Sequence, residues 1–472
     1  MTARWGEVTI KEIISPLKGE LISGTGDLII GGLSTDSREI KAGDLFVALK
    51  GERYDGHDFL RQAVDKGASG IVILGGHRPE IPEHGTPAVI VVADTLKALG
   101  DLAGWWRHQQ KANVAAITGS AGKTTTKEMS AGILGIGALT LKNKGNFNNL
   151  IGLPLTLLML EKDHRSAVLE MGMNRAGEIL RLTEIADPDI GLITNVGRAH
   201  LEGLGDIRGV ARAKVELVER ISSDSQVFLN GDDDLLMEVA RPFRKKISTY
   251  GLGSRNQIRA QNICSLGREG SRFELQYEGG SVPIRLIVPG IQNVRNALAA
   301  ATIALHMGAP REDIVRGLKG FEGIKGRFML TTLLGGAILV DDTYNSNPYS
   351  LRAALEALKD MKTEEGRILV GLGEMMELGP ETISAHVEAG GLVGEMGAHY
   401  FVVMGAHAPE MIRGAIEKGF PSDKVLLVKS HRAMSRALKA VMNSGDLILL
   451  KGSRRAGLDK VVESLKGVSV NR

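Results

Sequence analysis

Short apolar, β-branched runs alternate along the whole chain with stretches whose apolar residues recur every three or four positions. In the first hundred residues the runs are Leu45–Val47, Ile71–Leu74 and Val89–Val92, with a helical pattern from Phe59 to Lys66 between them. That predicts a small α/β unit. From about His108 to Glu322 the alternation repeats, with strands expected at Val114–Ile117, Ala167–Glu170 and Ile190–Thr194. A mostly parallel sheet covered by helices fits this pattern. From Gly323 to Arg472 five runs follow: Ile338–Val340, Ile368–Val370, Phe401–Met404, Val425–Val428 and Leu447–Leu450. Between the first two, Leu351, Leu355 and Leu358 fall at i, i+4 and i+7, with Ser350 as the expected N-cap. A Rossmann-like, doubly wound sheet is predicted there. The expected fold class is therefore α/β in three domains, at residues 1–107, 108–322 and 323–472.

Composition narrows this picture. The 472 residues are too many for one hydrophobic core, which agrees with several domains. The 58 basic and 55 acidic residues leave a net charge of only +3, so no broad basic face is implied and nucleic acid is not an expected partner. A single cysteine, Cys264, excludes an intramolecular disulfide framework and suits a reducing cytoplasm. Met1 to Lys18 carries Glu7, Lys11 and Glu12, so it lacks the unbroken apolar core of a signal peptide, and no stretch approaches a membrane span. A cytoplasmic protein without membrane insertion is expected.

The strongest chemical signal is Ile117-Thr-Gly-Ser-Ala-Gly-Lys-Thr-Thr-Thr-Lys127, an apolar run entering a small-residue loop and then a helical pattern. Glycines at 119 and 122 allow close backbone approach to an anion, and the following helix adds its positive end. In such a P-loop Lys123 would reach the outer phosphates and the Thr124 hydroxyl would ligate Mg²⁺. The general pattern wants a glycine where Ile117 stands, so this is the tighter G-x-x-G-K-T form. Glu170 and His200 then follow the ends of two further apolar runs, where an open α/β sheet binds its ligands. Asn293 and Asn296 share a helix face, an arrangement that can either read a purine or cap a helix. Ser34 to Arg38 reads as a capped turn.

A phosphate loop specifies a nucleotide and leaves the reaction open between a GTPase switch, a kinase or mechanical ATPase, and an ATP-dependent ligase. The switch is disfavoured because Asn143-Lys-Gly-Asn146 ends in asparagine and lacks the carboxylate that would accept from guanine. Three α/β sections with the phosphate loop in the middle one suit a ligase, which must hold a nucleotide between an acid and an amine.

The motifs themselves are more specific. The chain resembles the Mur ligase family in Ser34-Thr-Asp-Ser-Arg38, Gly119-Ser-Ala-Gly-Lys-Thr-Thr125, Gly145-Asn-Phe-Asn-Asn-Leu-Ile-Gly-Leu-Pro154, Glu170-Met-Gly172 and His200-Leu-Glu202. The likeness continues through Ala213-Lys-Val-Glu216, Asn293-x-x-Asn296, Gly326-Arg-Phe328, Asp341-Asp-Thr-Tyr-Asn-Ser-Asn-Pro348, Gly373-Glu-Met-Met-Glu-Leu-Gly379 and Lys451-Gly-Ser-Arg454. This resemblance implies a monomeric ATP-dependent amide ligase that joins D-alanyl-D-alanine to UDP-N-acetylmuramoyl-tripeptide through an acyl phosphate. The three domains would bind the UDP substrate, ATP and the dipeptide in turn.

The resemblance also implies roles for individual residues. The ATP set would be Gly119, Ser120, Ala121, Gly122, Lys123, Thr124, Thr125, Asn293 and Asn296, with Arg327 and Asp342 reaching across from the last domain. Thr124 and Glu170 would serve one Mg²⁺ and His200 a second metal site, with Lys214 able to ligate Mg²⁺ as its CO₂ carbamate. The catalytic set would comprise Lys123, Glu170, His200, Lys214 and Arg327. Asp36, Ser37, Arg38, Asn148 and Asn149 would contact the UDP substrate, and Tyr344, Asn345, Asn347, Glu374, Glu377, His386 and Ser453 would line the dipeptide side. One departure is visible: the chain has Gly-Glu-Met at 373–375 where the family commonly has Gly-Asp-Met. The Asp-Asn-Pro-Arg segment typical of the related diaminopimelate-adding ligase is absent.

Overall fold

The computed structural model describes residues 3–77 and 87–467. It contains three sheets, in the α/β class that the alternation predicted. The first has the strand order Ala3–Thr9, Ile29–Ser34, Asp44–Val47, Gly70–Leu74, Ala88–Val92, Glu20–Ser23. Its inner pairs are parallel and its two outer pairs antiparallel. The outermost strands were missed by the apolar-run reading because Glu20–Ser23 is half exposed and Ala3–Thr9 breaks register between Arg4 and Val8.

In the central sheet the strand Asn113–Thr118 lies between Ile190–Ile193 and Ser166–Glu170. Register pairs Ile117 with Glu170 and Thr118 with Ile193. The carboxyl ends of three parallel strands thus finish side by side, and the strand order reverses beside Asn113–Thr118. Such a reversal opens a crevice for a ligand. Beyond Ile247–Gly251 and Ile258–Ser265 the sheet continues as the antiparallel strands Ser271–Tyr277 and Gly280–Leu286, an extension the alternation did not foretell.

The last sheet runs Met329–Thr332, Ile338–Asp342, Leu447–Lys451, Ile368–Leu372, Tyr400–Val403, Val425–Leu427. All five predicted runs form its parallel strands, and Met329–Thr332 adds an antiparallel edge. The helix carrying Leu351, Leu355 and Leu358 begins at Pro348, one turn earlier than its leucines suggest. Its N-cap is Asn347, whose side chain accepts from the Ser350 amide; Ser350 returns a hydroxyl in a capping box. Proline at the first helical position explains the early start, since its fixed φ suits the helix and it lacks an amide that would need a partner.

The helix Thr95–Gln109 crosses residue 107 and buries Leu99, Leu102 and Trp106 in a core shared by the first and central sheets. Trp106 stacks on Trp5 at 5.2 Å. Both indole N–H groups donate to carbonyls in the central unit, Trp5 to Leu158 at 3.1 Å and Trp106 to Leu160 at 3.0 Å. An aromatic pair of this kind adds about 0.5–1.5 kcal/mol beyond its buried area. It fixes the first unit against the central one.

Candidate active site

The segment 119–122 joins Asn113–Thr118 to the helix Lys123–Leu134, as a phosphate loop requires. Its two glycines have steric reasons. A Cβ on Gly119 would stand 1.8 Å from Thr194 Oγ1, and one on Gly122, where φ is +84°, would stand 2.3 Å from Asn296 Oδ1. The loop is held from the neighbouring strand end. Asn195 accepts from the Ala121 amide at 2.9 Å and donates to its carbonyl at 3.0 Å, while the Thr194 hydroxyl donates to the same carbonyl at 2.6 Å. Lys123 Nζ folds back onto the Gly119 carbonyl at 2.7 Å. Although part of this side chain faces the cavity, the packing around the ammonium lowers its pKa; Glu170 opposes that shift and Arg327 reinforces it.

Glu170 receives partners on every side. Thr124 Oγ1 donates to its Oε2 at 2.8 Å and Asn148 Nδ2 to its Oε1 at 2.8 Å. The Asn143 amide brackets its backbone, donating to the Glu170 carbonyl at 2.8 Å and accepting from its N–H at 2.9 Å. The buried Lys127 in turn donates to the Asn143 carbonyl at 2.6 Å. From the last unit, Arg327 Nη2 donates to Thr124 Oγ1 at 3.2 Å, and its guanidinium lies 3.9 Å above the Tyr344 ring.

His200 approaches the same cavity from the loop after Ile190–Ile193. Its backbone is left-handed, φ 57°, and so is that of Glu377, φ 63°, which faces it from the last unit. Two non-glycine residues in this region, meeting across a cleft, are a mark of local strain. Their side chains meet, His200 Nδ1 to Glu377 Oε2 at 2.6 Å, close in distance but without hydrogen-bond alignment. The imidazole holds the Glu377 carboxyl below its ordinary pKa against the opposing effect of burial. Lys214 is 2 % exposed, and its pKa falls well below the usual lysine value because of burial and repulsion from Lys123.

A cavity of about 540 Å³ gathers Lys123, Thr124, Glu170, His200, Arg327 and Asn148. Ser120, Ala121, Gly122, Asn149, Tyr344, Asn345, Asn347, Glu377 and Ser453 reach the same space. A second cavity of about 130 Å³ opens beside it, between the phosphate loop and the last unit. Thr125, Asn293, Asn296 and Asp342 line that one. Asn293 is partly committed to its own helix, donating to the Pro289 carbonyl at 2.8 Å, and Asn296 donates to Asn293 Oδ1 at 3.4 Å. Both carboxylate oxygens of Asp342 are engaged, one by the Phe328 amide at 3.1 Å and the other by Lys451 Nζ at 2.6 Å.

Other expected site residues stand apart from these cavities. Asp36 and Arg38 form a bidentate pair on the first unit, with Nη2 to Oδ2 at 2.6 Å, and Ser37 donates to Gln62 at 2.6 Å. The guanidinium holds the Asp36 carboxyl at about 2. His386 is fully buried: its Nε2 accepts from the Met375 amide at 3.0 Å and its Nδ1 is 2.6 Å from the Thr382 carbonyl. It stands behind the 373–379 loop. Glu374 turns to the Ala406 amide at 3.2 Å. Asn195 and Asn143 were given no site role from the sequence, and Lys451 only as part of the Lys451–Arg454 motif. Their one signal was a polar residue placed next to the end of an apolar run, a weak cue until the strands are set side by side.

Comparison with known proteins identifies the family and the fold. Residues 29–106 match the model for "Mur ligase family, catalytic domain", 117–304 that for "Mur ligase middle domain", and 326–454 that for "Mur ligase, glutamate ligase domain". The chain is 35 % identical over 458 residues to UDP-N-acetylmuramoyl-tripeptide–D-alanyl-D-alanine ligase of Bacillus subtilis (strain 168), covering 97 % of this chain and 98 % of that one. Among solved structures it is similar to MurF from Acinetobacter baumannii, with TM-score 0.87 and 33 % identity over 98 % of this chain and 99 % of that one. It is also similar to MurF ligase from Thermotoga maritima in complex with ADP, with TM-score 0.81 and 27 % identity over 92 % and 97 %. With these matches running nearly end to end, the chain belongs to the Mur ligase family, in its MurF branch.

Proposed function

We propose that the chain joins D-alanyl-D-alanine to UDP-N-acetylmuramoyl-tripeptide at the expense of ATP, in peptidoglycan precursor synthesis. The observation that carries the reading is the meeting of phosphate loop, Glu170 and Arg327 at one cavity, walled on its far side by Tyr344 and Glu377 of the last unit. The tripeptide carboxylate attacks the γ-phosphorus of ATP; a P–O bond forms to the acid, the bond to the β-phosphate oxygen breaks, and ADP leaves. The neutral dipeptide amine then attacks the acyl carbon: a C–N bond forms, the acyl C–O bond breaks, and phosphate leaves with that oxygen and takes up the proton the nitrogen gives up.

Residues of this chain divide that work. Lys123, Arg327 and the loop amides oppose the negative charge gathered when a carboxylate meets a triphosphate. Asn148 and Asn149 orient the UDP substrate where it enters the cavity, with Asp36, Ser37 and Arg38 holding its distal end on the first unit. Asn293, Asn296 and Asp342 hold the nucleoside, and Tyr344, Asn345, Asn347, Glu377 and Ser453 the dipeptide. Glu374 and His386 support that side through the 373–379 backbone.

The donor set suits Mg²⁺ at one place. A hydroxyl and a carboxylate 2.8 Å apart, Thr124 and Glu170, are the hard oxygen ligands this ion takes, and His200 stands near them on the cavity wall. When bound, the ion neutralises phosphate oxygens. An ammonium cannot ligate it, so Lys214 would join this set only as a carbamate. Burial and Lys123 both favour the neutral amine that CO₂ addition needs. On this reading the chain works as a monomer in the cytoplasm, where ATP and the nucleotide-linked acid are supplied.

Phosphate release from ATP with UDP-muramoyl-tripeptide tests the reading, comparing D-alanyl-D-alanine, diaminopimelate and no amine. Release that needs D-alanyl-D-alanine is expected. Equal release without an amine, or a preference for diaminopimelate, would overturn it.

A further inference from the structure

The loop from Thr194 to His200 touches both halves of the nucleotide cleft. At its start it grips the phosphate loop: Asn195 holds the Ala121 peptide by both its N–H and its carbonyl, and the Ser120 amide donates to the Asn195 carbonyl at 3.0 Å. The Ser120 hydroxyl donates to the Gly197 carbonyl at 3.0 Å and sits 2.9 Å from its amide. The next residue, Arg198, leaves the central unit. Its guanidinium pairs with Glu388 and reaches Glu381 at 3.5 Å, both on the last unit, where Arg352 also meets Glu388 at 3.3 Å.

Little slack separates these contacts. The Thr194 carbonyl accepts from Asn230 at 2.9 Å and the Val196 amide donates to Asp233 at 2.7 Å, so the start of the loop is anchored to the central unit. A shift of Arg198 bears directly on its neighbour Gly197 and, through the Ser120 hydroxyl that Gly197 holds at both its carbonyl and its amide, on the 119–122 loop.

We infer that Arg198 is a positioning residue for the nucleotide: its ion pairs with Glu388 and Glu381 couple docking of the last unit to the shape of the phosphate loop. The inference rests on the ATP-site reading given above. Because coupling is reciprocal, nucleotide favours docking as much as docking favours nucleotide.

A double-mutant cycle on nucleotide affinity tests it, with calorimetric titration of the full chain by a non-hydrolysable ATP analogue. Arg198→Ala should weaken binding about 5-fold, a typical size for such coupling. In an Asn195→Ala background the same change should cost less than about 2-fold, because the grip on Ala121 is already lost. Arg198→Lys, which keeps the charge, should bind nearly as wild type. If Asn195→Ala does not fold, Ser120→Ala replaces it in the cycle with the same expectation. Strictly additive losses, or unchanged affinity in Arg198→Ala, would overturn the inference. Lys123→Ala separates the two readings: if it binds the analogue as well as wild type does, the phosphate-loop assignment itself fails, and the inference with it.

Discussion

Arg327 and Thr124 are 203 positions apart, yet the guanidinium of one donates to the hydroxyl of the other at 3.2 Å, and that hydroxyl donates onward to Glu170 at 2.8 Å. The bond reaches from the start of the last unit to the first turn of the phosphate-loop helix. It puts a permanent cation where phosphate charge would accumulate, and it exists only while the last unit is docked.

Arg327→Ala should therefore lower kcat by about 10²-fold, the usual cost of removing one preorganised charge donor, with little change in affinity for the UDP substrate. Thr124→Val should lower activity as well and raise the Mg²⁺ concentration needed for half-maximal rate. Steady-state kinetics over a Mg²⁺ series checks both. Unchanged kcat in Arg327→Ala would remove the guanidinium from the reaction.

Lys214 should require bicarbonate to act. Depleting CO₂ should reduce the rate and adding bicarbonate restore it, and carbon-13 bicarbonate should give a carbamate resonance that Lys214→Ala lacks. Lys214→Arg keeps a cation that cannot take up CO₂ and should be as inactive as Lys214→Ala. Full activity of either variant, measured by phosphate release, would rule out the carbamate.

Asp36 offers a titration test. Its folded pKa, about 2, lies below the ordinary 3.8 because Arg38 is bonded to it. The pair therefore adds stability that is complete above the unfolded value and is lost as pH falls through the folded one. Nuclear magnetic resonance of the Asp36 carboxyl should give a midpoint near 2, and Arg38→Ala should return it toward 3.8.

His386 lies within the last unit's core, and burial lowers its pKa, with the nearby His407 adding to that shift. The neutral ring is thus favoured in the fold. Its contribution to stability is present above the unfolded histidine value and lost as pH falls through the folded one. His386→Leu should leave the Met375 amide without its acceptor and cost about 1–3 kcal/mol, measurable by urea unfolding. The wild-type advantage over that variant should shrink in acid.

Much of this protein was legible in the order of its residues. The apolar runs Val114–Ile117, Ala167–Glu170 and Ile338–Val340 are strands because β-branched and aliphatic residues in short runs bury both faces of a parallel sheet. The loop 119–124 was legible because close approach to phosphate demands small residues at fixed spacing. Edge strands such as Glu20–Ser23 and Met329–Thr332 were not, since a half-exposed strand has no continuous apolar run to betray it. His386 was visible only as a residue type, and nothing in its neighbours along the chain distinguished the wall of a site from its support.

What the sequence determined by itself is local: which segments are strands or helices, and that a small-residue loop of G-x-x-G-K-T pattern follows the first strand of the central unit. Tertiary structure decided the partners. Register placed Glu170 and Thr194 on either side of that loop, and docking of the last unit brought Arg327 to Thr124 and Glu377 to His200. The reason is physical: local preference depends on neighbours a few residues away, whereas a catalytic geometry depends on which strand ends lie side by side, and only the assembled sheets fix that.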